Sequence, residues 1–176
     1  MKRQFAFVLA LLAALAVLGG CKSEKQKQEE TGDETPSTIG TAPPLLDIEV
    51  DKLITVEQVS EVLGFVVRPP HLADENTTAR YYSEDSLSYL EISVQEATRG
   101  MFDEIVSLYE DAADVEDIGL AAIWSAEQTQ LLIFNGEYMI SITVFIEDKN
   151  NEDLLETARA VAGIVLDRLC KVNMKE

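Results

Sequence analysis

Apolar and polar positions divide the chain into three stretches of different texture. Phe5 to Leu18 is an apolar run behind Lys2 and Arg3, and it stops at Gly19-Gly20. A membrane span needs roughly 20 apolar residues, so the run is short for one. A positive start, an apolar middle and small residues at the end fit a secretory signal. From Lys22 to Leu46 apolar side chains nearly vanish among Glu, Gln, Thr, Gly and Pro. Such a segment cannot bury enough surface to order itself, and a linker of about 25 residues reaches roughly 25–30 Å. Regular patterning begins at Asp47.

The patterned region opens on a helix. Thr55 can cap it with Gln58 three residues on, Ile54 can staple to Val59, and Gly64 stops it. Val56, Val59, Val62 and Leu63 form its apolar stripe. Pro69-Pro70 then predicts an irregular connection. Two strands follow, Arg80-Tyr81-Tyr82 and Leu87 to Gln95. In the second, Leu90, Ile92 and Val94 share one face, and Glu91, Ser93 and Gln95 share the other. Met101, Phe102, Ile105, Val106 and Tyr109 recur at helical spacing. After an acidic loop from Asp111 to Asp117 come three strands, about Ala121 to Ser125, Gln130 to Phe134 and Tyr138 to Ile146. Asn135-Gly136 between the last two predicts a type I′ hairpin. The last helix, about Asn151 to Leu169, carries Leu154, Leu155, Ala158, Val161, Ala162, Val165 and Leu169 on one face, with Asn150 or Asn151 as cap. The order α-β-β-α-β-β-β-α predicts an α+β domain over residues 47–176, with helices packed on an antiparallel sheet of about five strands.

Charge narrows the functional classes. The chain has 14 basic and 32 acidic side chains, a net charge of −18. Losing Lys2 and Arg3 with a cleaved signal would take it to −20, that is −18 − 2. From Asp47 onward only 9 basic residues face 27 acidic ones. Phosphate backbones are bound by clustered Lys and Arg, so nucleic acid is not an expected partner. Anionic lipid headgroups are not expected partners either. Such a surface favours a cationic envelope protein or peptide, held with a salt-dependent affinity.

Leu18-Gly19-Gly20-Cys21 after the apolar run resembles the lipobox of bacterial lipoproteins. The resemblance implies removal of residues 1–20, lipidation of Cys21 and a linker over 21–46 that holds the domain off the bilayer. Several acyl chains on Cys21 would suffice for stable anchoring, where one gives only marginal binding. Lys22 is not the aspartate associated with inner-membrane retention, so the expected location is the cell membrane, or the outer membrane of a host that has one. Cys170 would then have no cysteine partner within the chain.

A second resemblance rests on Leu53-Ile54-Thr55-Val56-Glu57-Gln58-Val59 leading to Leu63-Gly64, and on Val115-Glu116-Asp117-Ile118-Gly119-Leu120-Ala121-Ala122-Ile123-Trp124. These segments are similar to those of small extracytoplasmic lipoproteins with a PsbP-like domain, and of the related extracellular sensor domains of some bacterial kinases. Leu120 stands where an acidic residue is usual, and the disulfide cysteines often seen in these domains are missing. The resemblance implies a binding or accessory role without shared catalytic residues.

Candidate chemistry is sparse. His71, the one histidine, follows Pro69-Pro70 without a Gly-x-Ser-x-Gly elbow anywhere to supply a nucleophile, and it reads as a loop residue. Asp111, Asp114, Glu116 and Asp117, and again Asp148, Asn150, Glu152 and Asp153, miss the glycine and spacing of a calcium loop. They read as a solvated acidic face and a helix-capping cluster, and no metal or other cofactor is expected. Tyr81, Tyr82, Trp124 and Phe134, with Tyr89, are candidates to line an apolar pocket between sheet and helix; strand aromatics ordinarily form core or cross-strand pairs. The sequence thus points to a lipid-anchored, non-enzymatic module that binds an envelope partner or a small ligand. A carrier of an apolar ligand is the alternative, and an envelope hydrolase using a carboxylate and His71 a more distant one.

Overall fold

Helix α1 (Val56–Leu63) begins where Thr55 and Gln58 close a reciprocal cap: the Gln58 amide donates to Thr55 Oγ1 at 3.3 Å, and the Thr55 amide to Gln58 Oε1 at 3.1 Å. Ile54 and Val59 are both buried, and Gly64, at φ 78°, ends the helix. Removing the cap with Thr55→Ala is expected to cost about 1 kcal/mol, read as a lower midpoint at unchanged slope in urea unfolding. These features come from a computed structural model that describes residues 48–173. The expected signal segment 1–20, the expected lipidation site Cys21 and the expected linker 21–46 lie outside the described residues. Among the described residues no helix is long and apolar enough to cross a membrane.

Seven strands form one antiparallel sheet: β1 (His71–Ala73), β2 (Thr78–Tyr82), β3 (Tyr89–Glu96), β4 (Ala113–Asp114), β5 (Ala121–Ser125), β6 (Gln130–Phe134) and β7 (Tyr138–Phe145). Their spatial order is β1-β2-β3-β7-β6-β5-β4. Two meanders, β1 to β3 and β4 to β7, therefore meet where β3 pairs with β7. Helix α2 (Arg99–Val106) connects the meanders, and α3 (Asn151–Asn173) follows the second.

The α+β class holds, but the sheet has seven strands where about five were expected. The two additional strands are the edges. β1 follows Pro69-Pro70 and offers the core only Leu72, while both residues of β4 are exposed and lie inside the acidic loop. Alternation needs about four residues to register, and short edges that expose little pairing surface are how sheets avoid sticking to other chains.

The β6–β7 hairpin forms, but its turn sits one residue later than Asn135-Gly136 predicts. Asn135 N donates to Tyr138 O at 3.1 Å, leaving Gly136 and Glu137 as the central pair. Of that pair only Gly136 has positive φ, at 109°, which is the pattern of a type II′ turn. Asn135 Oδ1 instead accepts from the amides of Glu137 and Tyr138 at 3.1 and 2.7 Å.

Each face of the sheet receives different helices. On one, α1 and α3 close a large core in which Ala79, Tyr81, Leu90, Ile92, Val94, Leu131, Ile133, Ile140, Ile142 and Val144 meet Ala158, Val161, Ala162, Val165 and Leu169. Each fully buried Ile, Leu or Val there contributes about 1.5–3 kcal/mol. On the other, α2 supplies Phe102 to a smaller cluster with Ile123, Leu132, Phe134 and Met139, and the Phe102 and Phe134 rings lie 5.9 Å apart. Met101, expected on the buried side of α2, is exposed.

Candidate functional site

Residues paired across adjacent strands point to the same side of a sheet, so the registers specify what surrounds the α2 cluster. One row crosses six strands: His71, Arg80, Glu91, Thr143, Gln130 and Ser125. A neighbouring row runs Ala73, Thr78, Ser93, Ser141, Leu132 and Ile123. Outside the first row lies a third, Tyr82, Tyr89 and Phe145. Leu132, Ile123, Phe134 and Met139 belong to the corner packed with α2. Toward β1, β2 and β3 the same side of the sheet is polar and aromatic and stays accessible to solvent.

The polar rows form a hydrogen-bonded lattice. Gln130 Nε2 donates to Ser141 Oγ at 2.7 Å and to Thr143 Oγ1 at 3.1 Å, and Gln130 Oε1 accepts from the Tyr109 hydroxyl. Thr78 Oγ1 lies 3.1 Å from Ser93 Oγ and 3.3 Å from Asp74 Oδ2. The Arg80 guanidinium pairs with the Glu91 carboxylate and donates to Tyr82 Oη at 3.2 Å. The bond to Tyr82, and after it Glu91, raises the Arg80 pKa against a partial cost of burial. Arg80 also lies over the Tyr89 ring, its Cζ 5.6 Å from the centroid. Tyr89 stacks on Phe145 at 5.8 Å and 23° between planes, and Tyr82 flanks it at 6.1 Å.

Between β1 and β3 this surface dips into a groove of about 510 Å³ walled by His71, Asp74, Thr78, Arg80, Tyr82, Glu91 and Ser93. That volume lies within the range of small-molecule sites. Its rim is the β1–β2 turn, in which Asp74, Glu75 and Asn76 all adopt positive φ, 51°, 56° and 70°. A non-glycine run of this kind is costly and persists where its surroundings fix it; Thr77 Oγ1 donates to Asp74 O at 2.7 Å. A second hollow of about 480 Å³ adjoins the β2–β3 turn, beside Phe65, Val66 and Asp85. There Asp85 accepts from Ser83 Oγ, which holds its carboxyl below the usual range, and from Leu87 N. Those polar groups brace the turn itself.

The aromatic residues expected to line one pocket are divided between the two faces. Tyr81 and Trp124 are buried in the α1/α3 core, where Tyr81 Oη donates to Ile54 O at 3.1 Å. Phe134 is buried beneath α2, and only Tyr82 reaches the groove. Successive strand residues point opposite ways, so Tyr81 and Tyr82 cannot share a cavity. His71 stands on edge strand β1 opposite Arg80, exposed in the groove wall. Arg80, Glu91, Ser93, Thr143 and Phe145 were not singled out as a site by sequence reasoning. Their signal was the polar side of the β3 alternation, which becomes a site only once the register joins it to β2 and β7.

Asp111 and Asn150, one from each acidic set, have structural roles. Asp111 accepts from Ser125 Oγ at 2.7 Å and Glu127 N at 2.8 Å, bonds that hold its carboxyl below the usual range, the Glu127 amide first. Asn150 Oδ1 caps α3 by accepting from the amides of Glu152 and Asp153 at 2.9 and 3.0 Å. Among the described residues no three His, Cys, Asp or Glu side chains are placed to hold a metal ion. Cys170 is exposed on α3. Comparison with family models, characterised proteins and solved structures finds no match to this chain.

Proposed function

We propose that this chain is an envelope lipoprotein anchored through lipid on Cys21, and that its domain is a non-enzymatic binding module whose ligand surface is the uncovered side of β1, β2, β3 and β7. The sequence supports the anchor. The observation that carries the binding surface is the asymmetry of the sheet among the described residues: α1 and α3 cover one side, whereas α2 covers only a corner of the other. A groove and an aromatic row occupy the rest. An exposed Phe145 beside the half-buried Tyr82 and Tyr89 and ordered polar groups has the composition of a recognition surface.

Charge on this side differs from charge on the chain. Arg80 and Glu91 neutralise one another, Asp74 and His71 stand at the β1 side of the groove, and hydroxyl and amide groups make up most of the remainder. A cationic partner attracted by the net charge would engage acidic surface elsewhere, and the ligand of the sheet would be held by shape and hydrogen bonds. Crosslinking in the native host, followed by mass spectrometry, tests the proposal. The wild-type protein is expected to recover one partner or ligand from the membrane fraction, and Cys21→Ala to leave that fraction and lose it. Equal recovery by both proteins, or Cys21→Ala staying with the membrane, would overturn the anchored reading.

A further inference from the structure

Resting on that binding surface, we infer that its ligand is a neutral saccharide chain, seated with its pyranose rings along the Tyr82–Tyr89–Phe145 row and its hydroxyls over the Arg80–Glu91–Thr143–Gln130 row. The chemistry of the surface selects this class by elimination. Arg80 and Glu91 are already paired, so an anion finds no uncompensated positive charge from Arg80. The other carboxylate of the groove wall, Asp74, stands at the β1–β2 rim four residues along the strand from Tyr82, away from the aromatic row. A wholly apolar ligand would strip water from the row without replacing its hydrogen bonds, which is costly. A peptide added as a further strand needs a free edge, yet the edges are a three-residue strand behind Pro69-Pro70 and a two-residue strand.

A sugar ring has the complementary character. Its hydroxyls donate and accept, as Ser93, Thr143, Ser141 and Gln130 do, and its C–H faces are apolar. The aromatic row lies two residues along the strands from the polar row, about 7 Å, so a single ring can touch both. Phe145 is the accessible member: it is 44% exposed, and β6, which begins opposite Thr143, places no strand residue beside it. The groove adds a walled space next to Tyr82. The neutral ligand also carries a signature of its own, since an uncharged chain binds independently of salt, whereas a charged ligand steered by the acidic surface would not.

The test uses the full-length protein, isotopically labelled in detergent, titrated with cellohexaose and with chitohexaose at low and high salt. One of the two is expected to shift the amides of Tyr82, Tyr89, Glu91 and Phe145 saturably, with an affinity that salt leaves within about twofold. Phe145→Ala is expected to weaken binding about tenfold, and the isosteric Thr143→Val several-fold, with the rest of the spectrum unchanged. If neither sugar moves these amides but a host envelope extract does, the saccharide inference fails and the binding surface stands. If nothing moves them, or a sugar binds away from them, both fall.

Discussion

Gly119→Ala is expected to destabilise the fold by about 3 kcal/mol. Gly119 has φ +63°, and a Cβ there would lie 2.7 Å from Phe134 O and 2.8 Å from Ile133 Cγ2. The left-handed conformation alone costs an alanine roughly 1–2 kcal/mol, and forcing atoms into packed surroundings adds about 1–3 kcal/mol. Relief by retreat is blocked, because Leu120 N donates to that same Phe134 carbonyl at 2.8 Å, where the chain enters β5. Thermal unfolding should show a midpoint lower by roughly 10 °C. Gly163→Ala provides the contrast: it lies in α3 with nothing within 4 Å of its added carbon. That change is expected to stabilise by about 0.5–1 kcal/mol. Equal effects at the two positions would show that the approach of Gly119 to β6 does not govern stability.

Alkali is expected to remove the second largest increment, through Tyr81. Its ring is fully buried between the sheet and the segment ending at Ile54, whose carbonyl accepts its hydroxyl. Burial, and after it the charge of Asp51, pushes the phenol up to about 12. An unfolded tyrosine titrates near 10. Below about pH 10 both states hold the proton and the contribution is constant. Between about pH 10 and pH 12 the unfolded chain gives up a proton that the folded one keeps, so stability falls as pH rises, by on the order of 2 kcal/mol in total. Tyr81→Phe leaves the Ile54 carbonyl without its partner and is expected to cost about 1–2 kcal/mol at neutral pH. It should also flatten the alkaline decline seen in denaturant unfolding at rising pH. A decline of unchanged steepness would place the titrating group elsewhere.

Much of the fold is legible in the chain because local chemistry decides it. Thr55 with Gln58 starts α1, the alternation Leu90, Ile92, Val94 orients β3, and the spacing from Leu154 to Leu169 lays α3 against the sheet. The edges were hidden because His71–Ala73 and Ala113–Asp114 are too short to show a period. The β6–β7 turn moved by one residue because Asn135 uses its side chain to accept amides, which leaves Gly136 to supply the positive φ. The site was the least legible part. Arg80, Glu91 and Thr143 are each ordinary outward residues of amphipathic strands, and they form a row only because β3 pairs with β7 across a long sequence separation. Nothing local announces that pairing. Nor does the pattern of α2 reveal that its eight residues bury Phe102 over one corner and, among the described residues, leave the rest of that face open.

The most direct measurement of the binding surface is photo-crosslinking in the host cell, with a photoreactive side chain in place of Phe145 and, in a second version of the protein, in place of Glu156. Position 145 belongs to the open aromatic row, and position 156 is an exposed site on α3. A discrete adduct from position 145 and none from position 156 is the expected result. An adduct from position 156 with none from position 145 would contradict it and assign recognition to the helical side of the domain.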